Sequence, residues 1–316
     1  MKGVKLCKIM KLDSESFTLF PQFHNFTQFH PLSHLAPLMN QQEHRGIVDD
    51  LTLGVLFRRI NPKPKTVVHV VGNIGGAKST ACVKLVQMIE ECCTGVKVGL
   101  VSESMEEFEV EYPGLFDKYY KQGTPDEYKN DQGIPERHGL KFQLAMSYVR
   151  LRKFMDACEQ DYDIIIVDGS NYQDICFAKS NVENGKLNEE EWKIYINSRS
   201  TILAFLSSMK ELRTDLFVYM NPGVDICYRN MLYERKRKEE MKIPVEYLMG
   251  IQKILDDVFL GCHGLYGASE VPRVYNCTDI NAAMNEKEME RILREIMAIK
   301  AEKDGRVKSD MSIDTL

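Results

Sequence analysis

An apolar run that turns through a glycine-rich loop into a Lys-Ser-Thr helix start constrains this chain more than any other feature. In VVHVVGNIGGAKST, residues 67–80, the run ends at Val71 and the next helix begins near Lys78. A strand, a tight loop and a helix in that order aim the loop's N–H groups at one point. That point is the positive end of the helix dipole, where an anion is stabilised. The candidate cradle for the phosphates of a nucleotide is Gly72, Asn73, Ile74, Gly75, Gly76, Ala77, Lys78, Ser79 and Thr80. Lys78 would reach the β- and γ-phosphates, and the Ser79 hydroxyl would take Mg2+. Ala77 stands where such a loop is expected to have glycine. Its methyl group costs little if φ there is negative.

The chain from Thr66 onward has one rhythm. TVVHVV, KVGLVSE, YDIIIVDGS, DLFVYMNP and PRVYNCT read as strands. Between them STACVKLVQMIEECC, LKFQLAMSYVRLRKFMDACEQ and NEEEWKIYINSRSTILAFLSSMKEL carry apolar residues at helical spacing. Continuous apolar strands alternating with helices predict an α/β fold: a parallel five-stranded sheet with helices on both faces. The expected organisation is an irregular N-terminal extension over 1–65, one domain over 66–300 and a tail over 301–316. The extension is rich in Phe, His, Pro and Gln without a period, and RRINPKPK closes it. His24, His30, His34 and His44 have no Cys or carboxylate at ligand spacing, so they do not read as a metal site.

Composition excludes several classes. A net charge of −5 over 316 residues provides no global field for a polynucleotide. The apolar runs are too short to span a bilayer. Nine cysteines without a framework suit free thiols in a reducing, intracellular setting, cytoplasmic or mitochondrial, and a viral source fits equally. The basic start MKGVKLCKIMKLDSESF lacks arginine and contains Asp13 and Glu15, against a targeting peptide.

Charged residues at the strand ends are the candidates for chemistry. Glu103, just past the second strand, is placed to act as a general base beside the loop. Glu106, Glu107, Glu109 and Glu111 read instead as solvent-facing acids in a charged loop. Asp168 ends the third strand and could hold Mg2+. The cluster Arg235-Lys236-Arg237-Lys238 suits a lid whose arginines close on a transferring phosphoryl group, or a plain solvated helical face.

Taken in order, these stretches resemble the deoxynucleoside kinases, from about Thr66 to Glu290. The resemblance implies ATP-dependent phosphorylation of a deoxynucleoside 5′-hydroxyl, with Glu103 as base and Lys78, Arg235 and Arg237 on the phosphoryl group. In FDKYYKQGTP, Tyr120 is similar to the residue that contacts the sugar 3′-hydroxyl, with Tyr119 adjacent. In KFQLAMSYVR, Gln143 would pair with the base and Arg150 would support it. Phe177 would stack on the base, and Glu240 would meet the 3′-hydroxyl. VYNCTDIN, with Asp279, resembles the adenine-side loop, and Trp192 and Pro244 also match. The resemblance implies a homodimer. Two positions depart from the family pattern: Ala77, and Asp168-Gly169-Ser170 where the family has an acidic-Arg-Ser triplet. An active enzyme therefore needs another cation at Gly169, from Arg150 or Arg152. Other readings are a nucleoside monophosphate kinase, a nucleotide-binding regulator, and a catalytically degraded relic. The family's accessory subunit of mitochondrial complex I is of the last kind, and a relic would sit in a large protein assembly.

Overall fold

A computed structural model describes residues 65–103, 105–121, 137–208, 213–238, 240–261, 272–279, 283 and 285–305. The extension before Lys65, with its four histidines, and the tail beyond 305 lie outside the described residues. Five strands form as expected: β1 Thr66–Gly72, β2 Val98–Val101, β3 Ile164–Asp168, β4 Leu216–Met220 and β5 Arg273–Cys277. All pair in parallel, in the order β2-β3-β1-β4-β5. The helices are α1 Lys78–Cys92, α2 Met105–Glu111, α3 Leu115–Lys121, α4 Gly139–Glu159 and α5 Asn171–Glu183. They continue with α6 Glu189–Ser208, α7 Val224–Asn230, α8 Val245–Phe259 and α9 Glu286–Lys303. The acids expected in a charged loop are helical instead. Met105–Glu111 forms α2, in which Glu107 and Glu111 pair with Lys153 and Arg152 of α4.

Burial explains the strand sequences. β1, β3 and β4 are buried along their whole length, so both faces demand apolar residues. The edge strands β2 and β5 expose some positions and are correspondingly mixed. One face of the sheet, with Val68, Val70, Ile164, Ile166, Leu216 and Val218, packs on α1 and α9. On the other face Val67, Ile165 and Val167 meet Leu151, Phe154 and Met155 of α4. Nearby, Val71, Phe217 and Tyr219 meet α7 and α8. Because β1 lies between β3 and β4, the C-terminal ends of these three strands open a crevice where the strand order reverses. Among the described residues, no helix is long and apolar enough to cross a membrane.

The opposite end of the sheet is closed by polar contacts. The buried Val67 N–H donates to Asp215 Oδ2 at 2.7 Å. Lys303 Nζ, from the last turn of α9, donates to Asp215 at 2.8 Å and to the Lys65 carbonyl at 2.7 Å. Asp215→Ala leaves the Val67 N–H without its acceptor and is expected to lower stability by about 2 kcal/mol in urea unfolding. A loss below about 0.5 kcal/mol, the range of an ordinary surface change, would contradict this.

Candidate active site

The loop after β1 is held rigidly from three sides. The Gly72 N–H donates to Gln173 Oε1 of α5 at 2.9 Å. The fully buried Asn73 turns its Oδ1 to the Ile74 N–H at 2.9 Å, and its Nδ2 donates to the Leu248 carbonyl of α8 at 2.9 Å. Asn230 Nδ2, ending α7, donates to the Gly75 carbonyl at 2.9 Å. Gly75 has φ +74°, and the carbonyl oxygen of Cys227 fills the place a Cβ would need. Only glycine fits there.

The conformation of Ala77, which the sequence leaves open, falls on the costly side. Its φ is +60° and ψ 24°, in the left-handed region, not at negative φ. That conformation costs alanine roughly 1 kcal/mol relative to glycine. It is nonetheless the conformation that turns the chain into α1.

The residues present fit a triphosphate. α1 starts with no side-chain cap and no acid in its first turn, so its N-terminal N–H groups face outward without a competing anion. Lys78 Nζ donates to the loop's own Asn73 carbonyl at 2.7 Å. Burial pushes the Lys78 amine down, while Asp168 and Glu103 nearby favour its charge. Ser79 and Thr80 are exposed in the first turn of α1. Asp168, 5% exposed, ends β3 in register with Val70 of β1. Among the described residues no group of three or more His, Cys, Asp or Glu could hold a metal alone. The Ser79 hydroxyl and Asp168 therefore suit Mg2+ that arrives with phosphate and water oxygens, as this ion prefers.

Beside the loop lies a cleft that holds about 740 Å3 of empty space, the open solvent at its mouth included. It brings together Lys78, Glu103, Tyr120, Gln143, Arg150, Asp168, Phe177, Arg235, Arg237 and Glu240. Asp279 is elsewhere, after β5, where its Oδ2 accepts from Asn285 Nδ2 at 2.5 Å. Of the adjacent tyrosines, Tyr119 stacks on Phe142 with centroids 4.0 Å apart and donates its hydroxyl to Asn181 Oδ1 at 2.8 Å. Tyr120 instead feels Glu240, Arg235 and Glu103; burial pushes its phenol well up, and the two carboxylates add to that.

Two arginines and two carboxylates form one cluster. Arg237 Nη2 lies 3.0 Å from Glu103 Oε2, and its Nη1 lies 3.4 Å from Glu240 Oε1. Arg235 Nη2 lies 3.2 Å from Glu240 Oε1 and 3.5 Å from Glu103 Oε2. Burial alone would push Glu103 up, but Arg235 and Arg237, with Lys78 behind them, outweigh it and hold the acid at about 2. Glu103 is thus ionised at neutral pH, and its clamp is lost only as pH falls toward that value. Glu240 is buried, and its Oε2 is without a hydrogen-bond partner. The local backbone explains the placement. α7 runs into a π-helical turn, Met231–Arg235, which ends at Lys236 with φ +52°. A single 3-10 turn, Glu240–Lys242, comes next.

The position left by Gly169 is covered. A Cβ on Gly169, whose φ is +88°, would lie 3.3 Å from Arg150 Cζ. Arg150 is ion-paired with Asp174 of α5 and lines the cleft, whereas Arg152 is turned away to Glu111. Beneath, the Gly169 carbonyl lies 2.9 Å from His69 Nδ1. Burial pushes His69 down to about 4, so the ring is neutral and Nδ1–H is the donor. Sequence reasoning missed Asp174, Gln173 and His69. One signal was present: Ser170 caps α5, its Oγ accepting from the Gln173 N–H at 2.9 Å, a spacing that marks a helix start and directs its first turn.

A profile described as deoxynucleoside kinase matches residues 68–299. The probable deoxycytidine kinase of fowlpox virus is 28% identical over 182 residues, 57% of this chain and 66% of that protein. Deoxycytidine kinase 2 of Gallus gallus is 34% identical over 120 residues, 36% of this chain and 44% of that one. The Homo sapiens deoxycytidine kinase is 26% identical over 204 residues, 57% of this chain and 70% of that one. The matched region thus spans about two thirds of the fowlpox protein and under half of the Gallus gallus one.

Ala77→Gly relieves the left-handed alanine and is expected to raise unfolding stability by about 1 kcal/mol. Affinity for Mg-ATP should stay within about 1 kcal/mol, since the loop's donors do not move. Destabilisation by the glycine, in thermal or urea unfolding, would contradict the left-handed assignment.

Proposed function

The chain belongs to the deoxynucleoside kinase family, and on that premise we propose that it transfers the γ-phosphoryl group of ATP to the 5′-hydroxyl of a deoxynucleoside. One observation supports the reading: Glu103, the cations Lys78, Arg235 and Arg237, and Gln143, Phe177, Tyr120 and Glu240 all line a single cleft. Lys78 exchanges the Asn73 carbonyl for phosphate oxygens. Arg235 and Arg237 exchange the two carboxylates for the transferring group, where charge is greatest in the transition state. Their departure leaves Glu103 a stronger base, free to accept the 5′-hydroxyl proton. Mg2+, held by Ser79 and Asp168 together with ATP, supplies neutralisation of phosphate charge.

On the acceptor side, Gln143, 3% exposed, offers one donor and one acceptor to a base edge, and Phe177 offers a stacking face. The unpartnered Glu240 Oε2 is an acceptor for the 3′-hydroxyl, beside Tyr120. Asp174 Oδ2 is likewise buried without a partner and suits an amino group. That favours an amino-bearing base, and the relatives named for deoxycytidine make it the first acceptor to test. A relic has no use for this set. Of the two arginines available for the phosphate of a monophosphate acceptor, Arg152 is turned away to Glu111, and Arg150 in the cleft is already paired with Asp174. A homodimer working in nucleotide salvage fits the same reading.

The test is a screen of the four deoxynucleosides with Mg-ATP, separating products by chromatography. A 5′-monophosphate is expected from deoxycytidine; none from any acceptor would overturn the proposal.

Gln143→Ala is expected to lower kcat/KM for the acceptor by roughly 10²-fold, leaving ATP affinity unchanged, because polar groups of the base lose their partners. An equal loss in ATP affinity would put Gln143 on the wrong side of the cleft. Arg237→Ala is expected to lower kcat by about 10²-fold or more with a smaller rise in acceptor KM, as a charge needed mainly in the transition state does. A change confined to acceptor KM would contradict its role on the phosphoryl group.

A further inference from the structure

Three tyrosines of the cleft surround one ammonium. Lys186, in the connection between α5 and α6, places Nζ 4.5 Å from the ring centroid of Tyr119, 5.6 Å from Tyr120 and 5.7 Å from Tyr247. Tyr119 and Tyr120 come from α3 and Tyr247 from α8. All three rings line the cleft, and Lys186 does not. The ammonium therefore stands behind the rings that a bound sugar would touch. An aromatic face carries partial negative charge and attracts a cation, most strongly where water is excluded.

The lysine is itself well placed to act as a pin. Its N–H donates to the Asn181 carbonyl at 2.8 Å. Asn181 Oδ1 accepts from the Tyr119 hydroxyl at 2.8 Å and from the Tyr247 hydroxyl at 3.3 Å. α4 meets the lysine through Gly139, next to the buried His138, so closely that the Lys186 carbonyl leaves no room for a Cβ. Among the described residues, the titratable groups facing the ammonium are the three phenols, with Glu240 and Arg235 beyond Tyr120. Among the described residues no carboxylate forms an ion pair with it. α3 has seven residues, too few to be stable without tertiary contacts, and it carries Tyr120.

We infer that Lys186 is a positioning residue for the sugar of the acceptor: its ammonium draws the rings of Tyr119, Tyr120 and Tyr247 together and so fixes the Tyr120 phenol beside Glu240. This rests on the kinase reading of the cleft. Burial, the one cause of its shift, pushes the Lys186 amine down to about 8. The cage is intact below that pH, where the amine is charged, and loosens as pH rises through it.

The test measures kcat and acceptor KM on the full chain between about pH 6.5 and 9.5, together with the Cε resonance of Lys186 in lysine-labelled protein, assigned by its loss in Lys186→Arg. In the parent, KM should rise about tenfold above pH 8 with kcat nearly constant, the size expected when a desolvated cation–π contact is lost. Lys186→Arg keeps its charge and should hold the low KM throughout, while Lys186→Met should show the high KM at every pH. Turnover by the parent with KM unchanged in Lys186→Met would overturn the inference and leave the kinase reading standing. Absence of turnover with every deoxynucleoside would overturn the kinase reading and, with it, the sugar-positioning role. The resonance then decides the cage alone: Cε protons shifted upfield by the surrounding ring faces support it, and the ordinary lysine position refutes it.

Discussion

The backbone of the loop between β1 and α1 is the constraint on which the rest of the site depends. A few residues must reverse the chain from a central strand into a helix whose first N–H groups face an open crevice. Gly75 and Ala77 both take positive φ to do so. The turn is not left to hold itself. Gln173, Leu248 and Asn230 bind it from α5, α8 and α7, and these same elements carry Phe177 and Tyr247 into the cleft or lead directly to the turn that carries Arg235. A shift in the loop would therefore displace that wall of the cleft as well. That coupling gives a physical reason for an alanine to be carried in a left-handed conformation: the surrounding contacts fix the backbone, and the residue conforms.

A second organising feature is charge held in reserve. Arg235 and Arg237 each reach both Glu103 and Glu240, and Lys78 rests on a loop carbonyl. Every one of these cations has an internal partner that a phosphate can replace. The cluster keeps the buried charges compensated, which an unpaired carboxylate or guanidinium in this position could not be without a large penalty. In the proposed reaction it would also couple events: a triphosphate that attracts the arginines would free Glu103 at the same time. Gly169 fits the same pattern. Its small size leaves room for the Arg150 guanidinium, which Asp174 holds in place, so the cleft gains a cation from α4 where the β3–α5 turn provides none.

Much of this is legible from the sequence because it is local. The strands β1, β3 and β4 are continuous apolar runs since both their faces are buried, and Glu103 and Asp168 are found because they sit at strand ends. The rest depends on distant contacts. The Gly72 N–H meets Gln173, 101 residues away. The Lys186 cage joins rings from α3 and α8 to a loop between two other helices. The φ of Ala77 is set by tertiary contacts and has no signature in residue type. α2 reads as loop in the sequence because its acids mask a helix whose Phe108 is fully buried against α4.

The most direct measurement is calorimetric titration of the parent chain with Mg-ATP, because phosphoryl transfer in this cleft requires that the loop with Ala77 still receive a triphosphate. The expected result is saturable binding of one nucleotide per chain at micromolar affinity, about −8 kcal/mol, abolished by Lys78→Met. No heat of binding from a folded parent, or binding that survives Lys78→Met unchanged, would contradict it.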